Sequence, residues 1–545
     1  MKKEELSDAM EYVDEKLLVA AEEARGTKQK KKTGALRFAG LAASCALIGG
    51  ALWFASPLLK KAPIGETVGK ESQETLTEER PTKEETVKEE TTQAAGSQGT
   101  EAQNGQMGES PEHGQGNVQQ IALAVYPEQI PYPDEMEYVN EDTGVMDTDA
   151  YFAQYDSWSA QNAARNQLSV QTDMGTFLDK TLPVFLGGSA EKVGENRVYS
   201  PINVYLALGM LAEITDGESS RQVLDLLGVD SAETLPSQIS TLWQSNYIDD
   251  GLSTCILGNS MWLNEEVNFR QETLNTLAQN YYASSYAGQM GSEELNQALG
   301  RWLNEQTGGL LEEYVQNMEL SPETVIALAS SIYFKARWDE EFWKEGTESQ
   351  TFHQVDGDVL CDFMHQSNRM SLYTGDDFTA VYLPFSNGRD GMWLVLPEEG
   401  VTPESLAGDE DVLSMVQSKG RSGAENKTYQ VNLSVPKFDV EGEQDLVEGL
   451  MGLGVTDVFD AGRSDFTPLT EEVEQLEVSE ITHAARVKVD EEGCEAAAYT
   501  VIMMEASAEW EQEEEKDFVV DRPFLFYISN GNGLPLFAGV VNQME

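Results

Sequence analysis

The sequence predicts an α+β protein in which helices lie on large, mostly antiparallel β-sheets. Apolar residues recur at helical spacing in the segments 201–215, 220–228 and 297–315. Later segments are short, rich in β-branched and aromatic residues, and bounded by Gly, Pro or Asn, which is typical of strands. These strand segments are 330–338, 380–385, 392–397, 429–438, 487–490, 524–530 and 534–541.

The composition narrows the range of functions. The chain has 545 residues, with 36 Lys plus Arg against 95 Asp plus Glu and a formal net charge of -59. Nucleic-acid binding draws its affinity from clustered basic side chains, so DNA and RNA are excluded as default partners and basic partners are favoured. Four cysteines without paired spacing predict neither a disulfide scaffold nor a zinc module. They are Cys45, Cys255, Cys361 and Cys494.

Residues 38–59 are uncharged and apolar, and at 1.5 Å per residue they are long enough to span a hydrocarbon core of about 30 Å. Basic residues are concentrated just upstream, between residues 28 and 37, which predicts a cytoplasmic N-terminus on a single-pass anchor. A secretory signal peptide is an alternative, but its charged region would be unusually long and no A-x-A cleavage pattern follows. A lipid anchor at Cys45 is a further alternative.

The segment after the anchor is polar and acidic. It contains no aromatic residue between positions 62 and 120, and it cannot bury enough apolar surface to offset the entropy of ordering. We therefore predict a disordered linker and a single large extracellular domain at a cell membrane. The predicted segments are a cytoplasmic amphipathic helix with its basic flank at 1–37, the anchor at 38–59, the linker and lead-in at 60–165, and the domain at 166–545.

Enzyme signatures are missing from the sequence. None of its four histidines stands in an H-E-x-x-H motif, so metalloprotease chemistry lacks a ligand set. There is no G-x-S-x-G elbow, no G-x-x-x-x-G-K-[ST] loop and no strand-linked G-x-G-x-x-G. We therefore expect no catalytic residue, no metal and no cofactor, and we do not expect an enzyme.

A family resemblance rests first on residues 485–528, where a strand is followed by Glu-Glu-Gly, a run of small residues, a long polar stretch and another strand. Other segments have the order and intervals of the same family: VYSPINVYLALGML, GNSMWLN, RWLNEQTGG, SSIYFKARWDEEF, VYLPF, VPKFDV, LGVTDVF, DRPFLFYIS and LPLFAGVV. From about residue 166 onward the chain resembles a serpin. The resemblance implies a suicide inhibitor, in which a protease cleaves an exposed reactive-centre loop and the loop inserts into the central sheet while the protease is still esterified.

The segment after Gly493 has the alternation that insertion into a sheet requires, because successive strand residues face opposite sides. The inward set is small or apolar: Cys494, Ala496, Ala498, Thr500, Ile502 and Met504. The outward set carries both charges and the bulky phenol: Glu495, Ala497, Tyr499, Val501, Met503 and Glu505.

The hinge implied by the resemblance consists of Glu491, Glu492, Gly493, Cys494, Glu495, Ala496, Ala497 and Ala498. Cys494 stands where Thr is usual, but it adds no buried charge, so insertion and inhibition are predicted. The alternative is a serpin fold whose loop does not insert and which acts as a non-inhibitory surface binding protein.

The loop length usual in the family places the attacked carbonyl on Ser507, with Ala508 following, and Ala506 before Ser507 is the neighbouring choice. No Lys or Arg lies between Lys488 and Lys516, so a trypsin-like protease has no substrate here. Small residues favour an elastase-like or subtilisin-like serine protease. Because the loop is longer than usual, Met503, Met504 and Glu505 remain open as sites of attack.

Beyond this bond lie the acidic residues of segment 509–515. Such a run is either simply solvated or steers a basic protease toward the loop.

The resemblance also assigns a breach, where the sheet first opens. Glu491 and Lys437 match the pair that joins the hinge to the neighbouring strand, and Trp338 belongs to the same region.

The protein is expected to act as a monomer.

A second region, the shutter beneath the centre of the sheet, is matched by Ser200, Pro201 and His483. Asn203 stands where a Ser is usual, and Ser330 stands where an Asn is usual. These two departures predict an altered shutter hydrogen-bond network.

Overall fold

The computed structural model describes residues 118–140, 143–169, 174–187, 194–310, 318–473, 475–478, 481–494 and 514–544. The predicted cytoplasmic helix, the anchor and most of the linker lie outside these residues. The hinge positions Glu495, Ala496, Ala497 and Ala498 and the reactive-centre positions Ala506, Ser507 and Ala508 also lie outside them. Within the described residues, no helix is both long enough and apolar enough to cross a bilayer.

Helices and strands are interleaved along the described chain. The α-helices are α1 (Thr148–Ser169), α2 (Gly175–Phe185), α3 (Pro201–Glu213), α4 (Gly217–Leu227), α5 (Leu235–Asn246), α6 (Gln271–Asn280), α7 (Glu293–Gln306), α8 (Pro403–Leu406), α9 (Glu410–Ser418) and α10 (Val447–Gly452). Short 3-10 helices span Glu135–Tyr138, Lys344–Gly346 and Asp457–Phe459.

The strands are β1 (Gln119–Ala122), β2 (Arg197–Tyr199), β3 (Ile248–Asp249), β4 (Ser253–Asn264), β5 (Ala283–Gly288), β6 (Ile326–Arg337), β7 (Glu348–Gln354), β8 (Gly357–Thr374) and β9 (Phe378–Pro384). They continue with β10 (Gly391–Pro397), β11 (Glu425–Pro436), β12 (Phe438–Asp445), β13 (Thr482–Val489), β14 (Gly493–Cys494), β15 (Glu515–Val519), β16 (Phe524–Ser529) and β17 (Pro535–Val541).

The described strands form two large sheets. Sheet 1 has the order β1-β5-β4-β6-β14-β13-β12, with β3 paired to β4 outside this path. Sheet 2 has the order β15-β11-β8-β9-β10-β16-β17-β2, with β7 paired to β8. Among the described pairings only β4 with β5 and β11 with β15 are parallel, so the prediction of mostly antiparallel sheets is confirmed.

Helix α3 connects the two sheets. It begins at Ser200, whose hydroxyl accepts a hydrogen bond from the Asn203 amide, and Pro201 occupies its first turn, where the missing N–H costs nothing. Almost every residue of α3 is buried, as expected of a helix that is apolar on all sides. It packs on β6 of sheet 1 and on β17 of sheet 2. Strands β10 and β16, which are buried throughout, form the centre of sheet 2.

The folded body starts earlier than the sequence boundary at residue 166. Strand β1 pairs with β5 at the edge of sheet 1, and α1 packs on α5. The Tyr126 ring stacks on Trp243 with centroids 5.2 Å apart, and the Trp158 indole N–H donates to the Asp250 carboxylate at 2.7 Å. Residues 118–140 and 143–165 of the linker and lead-in therefore belong to the folded body, because long-range aromatic contacts give this stretch buried surface.

Candidate functional site

Strand β13 turns back into β14 through a tight turn that begins at Asp490. The Asp490 amide donates to the Gly493 carbonyl at 3.0 Å, and its carboxylate accepts from the amides of Glu492 and Gly493. A Cβ atom on Gly493 would lie 2.2 Å from the Ala336 carbonyl oxygen, so only glycine fits this close approach to β6. The sequence and the turn thus direct the chain into the middle of sheet 1.

Cys494 is the last described residue before the loop, and it already lies between two strands. It is antiparallel to both neighbours, opposite Ala336 of β6 and opposite Val489 of β13. Its side chain is buried, with 2% of its surface exposed. The first inserting position of the predicted hinge therefore belongs to sheet 1 in this structure.

The junction between β6 and β13 beyond Cys494 is here called the slot. Strand β6 pairs with β4 from Ile326 to Ala336, and β13 pairs with β12 along its length. In the part of the chain that the structure describes, no ladder joins β6 directly to β13. A crevice too narrow to hold a water molecule lies at Cys494, and Phe334, Val487 and Ile528 are among the residues that line it. The slot has the position and the apolar floor that an additional central strand would need.

The predicted breach pair meets at the turn. The Glu491 carboxylate lies 3.0 Å from Lys437 Nζ and accepts a 2.7 Å hydrogen bond from the Thr347 hydroxyl. Burial alone raises the pKa of Glu491, but the hydrogen bonds from Thr347, from its own amide and from Lys437 outweigh burial and lower the pKa below its ordinary value. The Glu491 carboxylate therefore stays ionised at neutral pH.

Trp338 supports the same turn from the neighbouring strand. Its ring is buried and stacks on Phe385 at 4.9 Å, while the indole N–H donates to the Asp490 carbonyl at 2.9 Å. Its amide donates to the Glu492 carbonyl at 3.1 Å, and the Glu492 carboxylate forms an ion pair with Lys344. The residues assigned to the breach by resemblance thus lie together.

The shutter residues also lie together, in a fully buried setting. His483 is 4% exposed, its Nε2 accepts from the Ser200 amide at 3.0 Å, and its ring contacts Tyr199 edge-on. Burial lowers the pKa of His483 to about 4, so the imidazole is neutral at pH 7. The Ser200 hydroxyl donates to the Leu536 carbonyl at 2.7 Å and links the network to β17.

The two departures from the family pattern contact each other. The Asn203 side-chain amide donates to the Ser330 carbonyl at 3.3 Å, and the Ser330 hydroxyl lies 3.5 Å from the Asn203 carbonyl. The same hydroxyl donates to the Asn259 side-chain oxygen at 2.8 Å. These hydrogen bonds join α3 to β6 and β4, and the alteration of the network relative to the family stays a prediction.

The chain re-enters the described structure at the edge of sheet 2, an attachment that sequence reasoning missed. Glu514 lies 2.9 Å from Lys427 Nζ and 3.8 Å from Lys516 Nζ, and both ammonium groups lie over the Tyr429 ring. The next residue begins β15, which runs parallel to β11. The only sequence feature that could have indicated this attachment is Lys516, the first basic residue after the acidic segment 509–515. The loop therefore connects the interior of one sheet to the edge of the other.

Other titratable groups form no second site in the described residues. Cys255 and Cys361 are free thiols, and burial raises the pKa of Cys255 to about 12. No described group of His, Cys, Asp or Glu side chains could hold a metal ion.

Comparison with known proteins agrees with this architecture. The family model described as Serpin (serine protease inhibitor) matches residues 182–544, and the chain belongs to this family. A serpin-like protein of Thermococcus kodakarensis is 29% identical over 355 residues, which cover 63% of this chain and 80% of that protein. Human leukocyte elastase inhibitor is 28% identical over 368 residues, covering 66% of this chain and 96% of the inhibitor.

The same architecture is present in a solved structure. The crystal structure of tengpin, a thermophilic serpin in its native state, aligns with a TM-score of 0.60 at 25% identity and covers 68% of this chain and 94% of that chain. The predicted serpin fold is thus confirmed.

Proposed function

We propose that this serpin inhibits serine endopeptidases as a suicide substrate and that its targets are elastase-like or subtilisin-like proteases. The observation that carries the proposal is the position of β14. Gly493 and Cys494 already pair with β6, and Cys494 also pairs with β13. Because each further residue of an inserted segment would add hydrogen bonds on both sides, cleavage of the loop would let the ladder extend down the slot.

The chemistry requires one acyl transfer from the inhibitor to the protease. The serine hydroxyl of the protease attacks the Ser507 carbonyl, an ester forms, and the peptide bond breaks to release the amine of Ala508. Insertion then carries the ester away before water can hydrolyse it. The inhibitor supplies no catalytic group, so it acts as a trapped substrate rather than as an enzyme.

The slot and the loop sequence fit each other. The predicted inward side chains from Cys494 to Met504 are uncharged, and the crevice below Cys494 is lined by buried apolar groups such as Phe334 and Val487. Insertion would therefore bury no unpaired charge. The absence of basic residues around Ser507 and the name of the human relative, leukocyte elastase inhibitor, both favour an elastase-like target.

The proposal includes location. A single-pass anchor at residues 38–59, with its N-terminus inside, would hold a monomeric serpin domain outside the cell. The apolar run and its basic upstream flank support this topology. Treatment of intact cells with an added protease should then remove the serpin domain while leaving residues 1–37 protected, and protection of the whole chain would contradict the topology.

The direct test incubates the full chain in detergent with neutrophil elastase and analyses the products by denaturing gel electrophoresis and mass spectrometry. We expect an SDS-stable adduct and a released peptide that begins at Ala508. Clean loop cleavage without an adduct, repeated with subtilisin, would instead support the non-inhibitory binding protein.

A matched pair of variants separates insertion from cleavage. Ala498→Glu places a charge at a predicted inward position and should leave a cleavable chain that forms no adduct, because burial of an unpaired carboxylate is costly. Ala497→Glu places the same charge one residue earlier at an outward position and should keep the adduct. Equal behaviour of the two variants would contradict the proposed insertion register.

A further inference from the structure

Helix α1 is attached to the body close to the hinge. Ser253, the first residue of β4, is opposite Ala336 of β6, and Ala336 is opposite Cys494. Neighbouring strands are about 4.8 Å apart, so Ser253 lies roughly 10 Å from Cys494. The Asp250 carboxylate accepts hydrogen bonds from the Ser253 amide at 3.0 Å and from the Trp158 indole of α1 at 2.7 Å. The contact between α1 and the body is therefore at the end of sheet 1 from which the loop leaves.

Large apolar side chains are exposed on this part of the molecule. The side chains of Met136, Val145, Phe152 and Tyr155 are 69%, 50%, 57% and 37% exposed. They belong to the 3-10 helix Glu135–Tyr138, to α1, and to the connection between these two helices, which pack on each other. Exposed apolar side chains that are grouped and surrounded by polar residues are typical of an interaction site.

Neighbouring rings hold the exposed aromatic side chains in place. Phe152 contacts Tyr151 edge-on with centroids 5.4 Å apart, and Tyr151 contacts Tyr138 edge-on at 5.7 Å. The Tyr155 ring lies 5.6 Å from the Trp158 ring, which is itself bonded to the body. Aromatic side chains that are already ordered lose little entropy on binding, so they are effective anchors in a protein interface.

The charged side chains around these rings are all acidic. Between residues 118 and 164 the sequence contains no Lys, Arg or His, and Arg165, the first basic residue, is buried. A second copy of this chain or an anionic bilayer would therefore be repelled, whereas a basic protein surface would be attracted. The exposed carboxylates are those of Glu135, Glu137, Asp147, Asp149 and Asp156.

We infer that these carboxylates and apolar side chains, together called the acidic aromatic face, bind a basic surface of the protease that attacks the loop. The inference rests on the proposed function, because the partner is the target protease. Helix α1 rises 1.5 Å per residue, so Phe152 is about 9 Å along the helix from Trp158. The face therefore lies within roughly 30 Å of Cys494, about the diameter of a small domain, and one protease can contact both the face and the loop.

The charges and the rings of the face should affect different rate constants. Carboxylates attract a basic protein before contact, so neutralising three of them should lower the association rate constant about threefold to tenfold at low salt. High salt should remove this difference, because exposed charges are screened. The ring of Phe152 acts only after contact, so Phe152→Ser should raise the dissociation rate constant about tenfold.

The experiment uses the full chain in detergent, with neutrophil elastase as the basic serine protease. Binding is measured with elastase whose active-site serine is blocked, so that the chemistry of the loop does not contribute, and adduct formation is measured separately with active elastase. The face variants are Phe152→Ser and the triple variant Glu135→Gln, Glu137→Gln and Asp156→Asn. The matched control removes the same charge near the other end of β4, with Glu265→Gln, Glu266→Gln and Glu294→Gln. All substituted side chains are exposed, so urea unfolding should be unchanged in every variant.

We expect the wild type to bind blocked elastase, both face variants to bind it more weakly, and the control to remain within about twofold of the wild type. Equal binding by the wild type and the face variants, or an equal loss in the control, overturns the inference, and an adduct with active elastase then leaves the proposed function intact. Self-association of the wild type that Phe152→Ser removes would assign the face to a second copy and likewise overturn the inference. Face-dependent binding of blocked elastase without any adduct overturns the proposed function alone.

Discussion

The breach and the shutter hold the same sheet by opposite means. At the breach, Glu491 and Lys437 form an ion pair whose lysine side chain is 39% exposed. At the shutter, a neutral and buried His483 accepts a hydrogen bond from the Ser200 amide. When the breach pair separates, water can solvate its lysine at once, whereas the shutter cannot open without leaving buried polar groups unpaired on both sides. The comparison indicates that salt affects the stability of the breach around Glu491 and Lys437, whereas burial of polar groups determines the stability of the shutter around His483.

The largest expected effect tests whether the breach also depends on an apolar anchor. Trp338→Ala should lower the free energy of unfolding by about 3 to 5 kcal/mol, because it removes a buried ring stacked on Phe385. Trp343, a nearby tryptophan that is 68% exposed, provides the control, and Trp343→Ala should change stability by about 0.5 kcal/mol or less. Urea unfolding measures both. Equal losses in the two variants would show that Trp338 is not an anchor.

The second effect concerns the shutter and pH. Burial lowers the pKa of His483 from 6.5 to about 4, so its contribution to stability is fully present above pH 6.5 and is lost as the pH falls from 6.5 toward 4. The full loss is about 3 kcal/mol, because each tenfold weakening of proton binding in the folded state corresponds to about 1.4 kcal/mol. Unfolding free energies at pH 7, 6 and 5 test this slope.

His353→Gln is the control for the pH effect, because His353 is exposed and pairs with Asp358. This variant should keep the loss of stability between pH 6.5 and 5, while His483→Gln should abolish it. Persistence of the slope in the His483 variant would assign the acid sensitivity to another group.

The third effect is smaller and belongs to the breach. Glu491→Gln should cost about 1 to 2 kcal/mol at pH 7, because a buried carboxylate loses its ion pair with a lysine that is itself partly exposed and screened by salt. The folded pKa of Glu491 is lowered, so this stabilisation is present above its ordinary pKa of 4.5 and is lost below it. Unfolding at low and high salt compares the variant with Glu345→Gln. A loss that salt does not change would argue against an electrostatic origin.

The smallest effect tests the exchange of Asn and Ser in the shutter. Asn203→Ser and Ser330→Asn should each destabilise slightly, because each disrupts part of a reciprocal contact. The double variant should be more stable than the sum of the single losses predicts, with a coupling energy of about 0.5 kcal/mol or more. A double-mutant cycle in urea measures this coupling. Additive losses would show that the two positions do not act together.

Much of the fold was predictable because individual strands carry their own signal. The apolar segments 330–338 and 392–397 fall almost entirely within β6 and β10, and both were predicted from composition alone. The proximity of Glu491 and Lys437 was accessible only through the family resemblance, since nothing local in the sequence indicates that the two residues meet.

Other features depend on partners that are distant in the sequence. The Ala124 amide donates to the Ser284 hydroxyl, 160 positions away in the sequence. Local composition carries no information about so distant a contact, and it therefore placed residue 124 in the linker and lead-in. The position of Cys494 between Ala336 and Val489 likewise requires a known register, because a shift by one residue would turn its side chain to the other face of the sheet.

Strand β1 gives the body a mechanical property. The described chain enters sheet 1 through β1, which β5, β4 and β6 separate from the slot. A pull on the preceding residues loads the four-residue β1 first, and then the Tyr126 ring stack behind it. The applied force first breaks the pairing of β1 with β5, and only afterwards acts on β6. A force applied on the N-terminal side would therefore not extend β6 and β13, the strands on either side of the slot.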